Sequence, residues 1–299
     1  IRNCLVGSEM CIRDSITIEN GSFSGEGLVS MSEGTVSIER DNILGGSQGW
    51  TFYNLTLGDG LTSEFTTPAS NATTTIAGVL TVDTAHFFDV KGLVIDFLGS
   101  NNVFVENGNF LEGTSTVRYI GTTPNILRTA YNNLTIDTNG VGTVVATAPS
   151  TGLQILGDLV LGDNGTSTLD LTTNDPLMAV AGDTYIGDLG TLLASDVSTL
   201  EAYGDWDNDG IFTSNGGLVE FKNAGGPSII AAGSSTFADM SITGGGDFTL
   251  VEHATATGDV SLSSGSYILD SGQSLAVGGI FTNNMFDAAT TWTGSTLHL

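Results

Sequence analysis

Thr51-Phe52-Tyr53-Asn54-Leu55-Thr56-Leu57 recurs with changed letters as Ala130-Tyr131-Asn132-Asn133-Leu134-Thr135-Ile136 and Thr236-Phe237-Ala238-Asp239-Met240-Ser241-Ile242. Each copy is an aromatic residue, one or two Asn or Asp positions, then apolar residues at every second place. A period of two belongs to a half-buried strand, not to a helix. Each copy follows another alternating stretch: Gly34-Thr35-Val36-Ser37-Ile38, Ser115-Thr116-Val117-Arg118-Tyr119 and Gly217-Leu218-Val219-Glu220-Phe221. Each precedes a glycine-led one: Gly78-Val79-Leu80-Thr81-Val82, Gly157-Asp158-Leu159-Val160-Leu161 and Gly258-Asp259-Val260-Ser261-Leu262.

The spacing predicts how these strands stack. Val219, Met240, Val260, Val277 and Leu297 follow one another at roughly 20 residues, the step from Val260 to Val277 being the shortest. The larger steps, Val36 to Val117 to Val219 to Leu297, come close to four, five and four such units. Short strands at this period point to an all-β fold, a parallel β-solenoid with coils of roughly 20 residues. Stacking buries the apolar face that no single coil can bury alone. At about 4.8 Å per coil, residues 16–299 would make roughly fourteen coils. Tandem β-sandwich repeats are the alternative, since they also use short strands at even spacing. The phase is poorest between Ala85 and Gly113.

Composition agrees. The chain has 41 Gly but 5 Pro in 299 residues, and 40% of it is apolar, enough for a core. Thirty-three acidic residues against seven basic ones give a formal charge of −26. Such a field repels nucleic acid, whose binding needs clustered Lys and Arg. No apolar run approaches the roughly 20 residues of a membrane span.

Residues 1–15 differ from the rest. Val6-Gly7-Ser8-Glu9-Met10-Cys11-Ile12-Arg13-Asp14-Ser15 resembles a translated sequencing adapter found at the ends of metagenome-derived chains. Both cysteines, Cys4 and Cys11, fall in this stretch. It is therefore read as non-native and set apart from the repeat region, 16–299. Trp292–Leu299 reads as the opening strand of a further repeat, so the repeat region is expected to be truncated at its C-terminus.

Leu275-Ala276-Val277-Gly278-Gly279-Ile280-Phe281-Thr282-Asn283-Asn284 and Tyr203-Gly204-Asp205-Trp206-Asp207-Asn208-Asp209-Gly210-Ile211-Phe212 resemble bacterial secreted or cell-surface β-helical repeat proteins of adhesin-like type. The resemblance implies a structural repeat in an extracellular or cell-surface setting. The partners it implies are an extracellular glycan or another cell-surface molecule. It implies no chemistry.

The candidate metal ligands are Asp205, Asp207 and Asp209, in an Asp-x-Asp-x-Asp-Gly run that resembles the start of a calcium loop. Position twelve is Gly216 where an EF-hand needs Glu, so only a looser calcium site fits. Asp and Asn also form turns, which explains Asp59-Gly60, Gly157-Asp158, Gly162-Asp163, Gly182-Asp183 and Gly258-Asp259. His86, His253 and His298 lack zinc-ligand spacing. The sequence has no nucleophile elbow, Walker loop or dinucleotide fingerprint. No spacing nominates the paired carboxylates of a glycosidase, and outside 1–15 only Arg40, Lys91, Arg118, Arg128 and Lys222 are basic. Phe52, Tyr53, Tyr131, Trp206, Phe237, Phe281 and Phe286 read as a core stack. The Thr-x-Thr pairs at 73/75, 114/116, 166/168 and 255/257 are not spaced as the coil-by-coil ladder that ice binding would need.

The expectation is a non-enzymatic structural or interaction module without a resident cofactor, calcium apart. The alternative is a carbohydrate-binding or polysaccharide-cleaving β-helix.

Overall fold

The computed structural model describes residues 15–61, 63–70, 72–126, 130–138, 143–223, 225–233, 235–285 and 290–299, with residues 4–6 and 9–12 through their backbone alone. Among these residues the secondary structure is entirely β. The strands stack as parallel coils, a β-solenoid of about 12 turns. This excludes the sandwich alternative, whose sheets are antiparallel. The chain divides into two compact units, Ile1–Thr135 and Ile136–Leu299.

In the first unit each coil contributes one strand to each of three faces. On one face Ile16–Ile18, Thr35–Ile38, Asn54–Leu57, Leu80–Val82 and Phe104–Glu106 follow one another in parallel register. A second runs from Leu28–Met31 through Trp50–Phe52, Thr74–Ile76 and Val94–Phe97 to Thr116–Tyr119. The third holds Phe23–Gly25, Asn42–Gly46, Glu64–Pro68, His86–Asp89 and Asn109–Leu111. Inward positions alternate with outward ones, so Val36, Leu55 and Leu80 form a column that is 0–1% exposed. Burying each such side chain stabilises the fold by about 1.5–3 kcal/mol. The backbone of Glu9–Ile12 continues a face by pairing with Leu28–Met31, and Cys4–Val6 pairs antiparallel to it. Strands thus reach into the segment that composition sets apart.

The second unit repeats the three-faced plan. Leu153–Ile155, Met178–Val180, Leu200–Ala202, Leu218–Phe221, Asp239–Ile242, Val260–Leu262 and Phe281–Asn283 share a face. Another carries Leu159–Leu161, Thr184–Ile186, Trp206–Asn208, Pro227–Ala231, Asp247–Leu250 and Ser266–Leu269. The third runs from Val144–Thr147 to Thr296–His298. Trp206 lies wholly inside, with its ring centroid 5.0–6.2 Å from those of Phe212, Phe221 and Phe237.

The register corrects the sequence spacing in two places. Val260 stacks on Phe281, and Val277 belongs to another face, where it follows Ala256. The short step from Val260 to Val277 is therefore a change of face and not a short coil. Likewise Val36 and Val117 lie on different faces, as do Val219 and Leu297, so the long period does not link equivalent positions. What recurs is a run of rungs. Val36, Leu55 and Leu80 are consecutive on one face, and so are Val219, Met240 and Val260. Coils also differ in length: the one from Leu55 to Leu80 is longer than the one from Val36 to Leu55. Such long coils are why there are fewer turns than a strict period of twenty predicts.

The stretch between Ala85 and Gly113 is as regular as the rest, with strands on all three faces. Two things hide it. Before Gly113 its left-handed turn positions are Ala85, Lys91 and Asn101, so the usual Gly signal is missing at those turns. Its inward and covered positions include His86 and Asp96, which break the apolar alternation.

Candidate functional site

A strand fixes where alternate residues point, and that decides the geometry at the candidate calcium ligands. In Trp206–Asn208 the Trp and Asn side chains go inward and Asp207 goes out. Asn208 lies inside, donating to Ser235 Oγ at 2.6 Å and accepting from the Gly210 N–H at 3.1 Å. It thereby shapes the turn that the Asn-Asp-Gly spelling announces. Asp205 Oδ1 accepts the Ile229 N–H at 2.7 Å. Among the described residues no group of three His, Cys, Asp or Glu side chains is arranged to hold a metal ion.

Asp205 is one rung of a ladder. Asp158 Oδ1 accepts the Asp183 N–H at 2.9 Å, Asp183 Oδ1 accepts the Asp205 N–H at 2.8 Å, and Asp205 passes the pattern on. A second ladder in the same unit uses Asp239, which accepts the Asp259 N–H at 2.7 Å, and Asp259, which accepts the Ile280 N–H at 2.8 Å. In the first unit Asn54 does the same for the Val79 N–H at 2.9 Å. The Gly before each donating N–H is required by space. A Cβ on Gly182, Gly258, Gly279 or Gly78 would stand 2.2–2.4 Å from the incoming Asx oxygen. Gly157-Asp158, Gly182-Asp183 and Gly258-Asp259, read as turn formers, are thus coil-to-coil clamps, whereas Asp59 accepts the Leu61 N–H at 2.8 Å within its own turn.

Beside the first ladder the outer surface has a hollow of about 290 Å³, lined by Asp183, Tyr185, Asp205, Asp207, Ile229 and Ala231 with Thr184 and Trp206. Register explains it: Tyr185, Asp207 and Ala231 form one outward column, and the small Ala231 leaves space at its end. Partial desolvation, then the like charges of Asp209, Glu252 and Asp205, push the Asp207 carboxyl above its ordinary range. Desolvation and the surrounding carboxylates, Asp209 first, raise the Tyr185 hydroxyl as well.

In the first unit a polar seam interrupts the core. Asn42, Thr66 and His86 are all buried on one face, and His86 Nε2 lies 2.8 Å from Thr66 Oγ1. Outside the same strands Phe65 and Phe87 stack, with centroids 4.7 Å apart and planes inclined by 13°. Ring planes stacked coil upon coil present their edges to solvent, so this pair offers no flat sugar platform.

Of the predicted core aromatics, Phe52, Tyr131, Trp206 and Phe237 are fully buried, whereas Tyr53 is exposed and Phe281 is half-buried. Phe286 and Arg128 lie outside the described residues. Arg40 pairs with Glu64 (3.4 Å) and Asp59 (3.9 Å), Arg118 with Asp96 (2.6 Å), and Lys222 with Glu201 (3.0 Å) and Glu220 (3.5 Å). The Lys222 ammonium is held above its ordinary range chiefly by the Glu201 hydrogen bond. Lys222 also lets Glu201 and Glu220 stand in direct register, a like-charge pair that would otherwise destabilise the sheet. His253 accepts the Ser274 N–H at 3.0 Å, and His298 lies on the strand Thr296–His298.

Hydroxyl columns do exist, with most of their members outside the Thr-x-Thr pairs. Thr17, Ser37, Thr56 and Thr81 stack in one unit, and Thr213, Thr236 and Thr255 in the other. Neighbours in a column are a whole coil apart in sequence, so closely spaced pairs could not reveal them. Among the described residues no helix is long and apolar enough to cross a membrane. The chain matches no family model, no curated protein and no solved structure.

Proposed function

We propose that this chain is a structural and interaction module, a β-solenoid stalk or adhesin-like region of a secreted or cell-surface bacterial protein, without catalytic activity of its own. The observation that supports this reading is the coil-to-coil clamp ladder, Asp158–Asp183–Asp205 and Asp239–Asp259, which fixes the spacing of successive rungs. A stack with enforced spacing sets distance, the property a stalk needs. The acidic surface suits solubility and exchange with cations outside a cell. The test is to read the coding sequence on both sides of this region. A secretion signal and a surface anchor or adhesive tip are expected. A flanking catalytic domain would make the region a spacer within an enzyme and remove the adhesin reading.

The hollow beside Tyr185 favours a second reading, in which a glycan binds there through an aromatic ring and carboxylate acceptors. Screening residues 16–299 against extracellular polysaccharides would show retention that Tyr185→Ala abolishes. Equal retention by both proteins would end that reading.

A further inference from the structure

We propose that His86 is an acid-sensitive latch between two coils of the first unit, so that mild acid loosens the strands Glu64–Pro68 and His86–Asp89 together with the outward Phe65–Phe87 stack.

The geometry is that of a group with room for one hydrogen bond. His86 has no exposed surface, and its Nε2 shares a proton with Thr66 Oγ1, itself fully buried, at 2.8 Å. The other ring nitrogen, Nδ1, is buried without a hydrogen-bond partner. The ring is packed closely: a Cβ on Gly58 would stand 2.8 Å from its Cβ and 3.1 Å from its Cγ. A neutral imidazole tolerates this, because one nitrogen is a donor and the other an acceptor. A protonated ring has two donors, and one of them would be left unmet and charged inside the protein.

The charged groups around the ring act in the opposite sense. Glu64, on the neighbouring strand, is its register partner, with Asp41 on the coil before and Asp59 and Asp83 on the connections. Arg40 pairs with Glu64 and with Asp59 and so spends part of that negative field elsewhere. The strand on the other side, Asn109–Leu111, has no titratable side chain. Burial outweighs the four carboxylates, and the ring's pKa is lowered.

The sign follows. An opened ring takes a proton near pH 6.5, and the closed ring takes one only at lower pH. Between those two points the open form binds more protons, so the closed form is disfavoured as pH falls, by up to about tenfold per pH unit. Phe65 and Phe87 lie on the same two strands, next to Thr66 and His86, so opening the latch separates the stacked rings.

The experiment is hydrogen exchange on the full chain from pH 7.5 to 5.5, corrected for intrinsic rates, with histidine-ring NMR titration of the same protein. Protection of Glu64–Pro68 and His86–Asp89 is expected to fall several-fold below pH 6.5, while Trp206–Asn208 stays constant. In His86→Phe the pH dependence should vanish. A His86 ring that titrates at or above 6.5 in the wild type would overturn the proposal, even if the variant fails to fold. So would protection that is flat across the range, or that falls equally in all strands.

Discussion

An aspartate side chain is just long enough to reach the backbone N–H of the next coil, about 4.8 Å away, while its own backbone stays in the ladder. Alanine offers no acceptor. Asp239 illustrates the consequence, since its Oδ1 takes the Asp259 N–H. Asp239→Ala should lower stability by about 0.5–1.5 kcal/mol, the net worth of one intramolecular hydrogen bond. Asp239→Asn should cost less than half as much, since Asn54 performs the same task with an amide oxygen. Gly258→Ala should resemble Asp239→Ala, because the new Cβ would stand 2.2 Å from that oxygen. Chemical denaturation of the three variants checks the order. If Asn proves as damaging as Ala, charge and not the hydrogen bond holds the clamp.

At the scale of strands, alternation made the β assignment and the three-rung run legible, because period two survives whatever the turns do. The parallel stack was legible too, from the period near twenty. Face assignment was not. Every face shows the same alternation, so Val277 could pass for the successor of Val260 until register placed Phe281 there. The His86 latch and the hollow were equally hidden, since both depend on residues a full coil apart coming together. Only the spelling Gly-Asp hinted at the clamps, and turn preference explained it as readily. The register also predicts what deletions do. Removing residues 239–258 takes out one rung from each face and would stack Leu218–Phe221 directly on Val260–Leu262. This variant should melt cooperatively within about 5 °C of the parent. Removing 239–248 puts strands on the wrong faces and should abolish the transition. If both deletions melt alike in calorimetry, coil register does not govern stability.

Across the whole molecule, a formal charge of −26 sets carboxylates against one another. Raising ionic strength from about 10 mM to about 150 mM shortens the screening length from about 30 Å to about 8 Å and should raise the melting temperature. Calcium at matched ionic strength separates screening from a specific site. If Asp207 and Asp209 bind it, Asp207→Asn with Asp209→Asn removes a gain that magnesium does not give. An equal gain in both proteins leaves only screening. The clamps have one more consequence, under mechanical load. Their bonds cross from each coil to the next, so pulling the chain off the end of a stack breaks one coil's clamps before the next coil is disturbed. Each step would release a single coil, about 70 Å of extended chain. Such a stack gives way in increments and lengthens greatly before it fails, like a rope with sacrificial stitches.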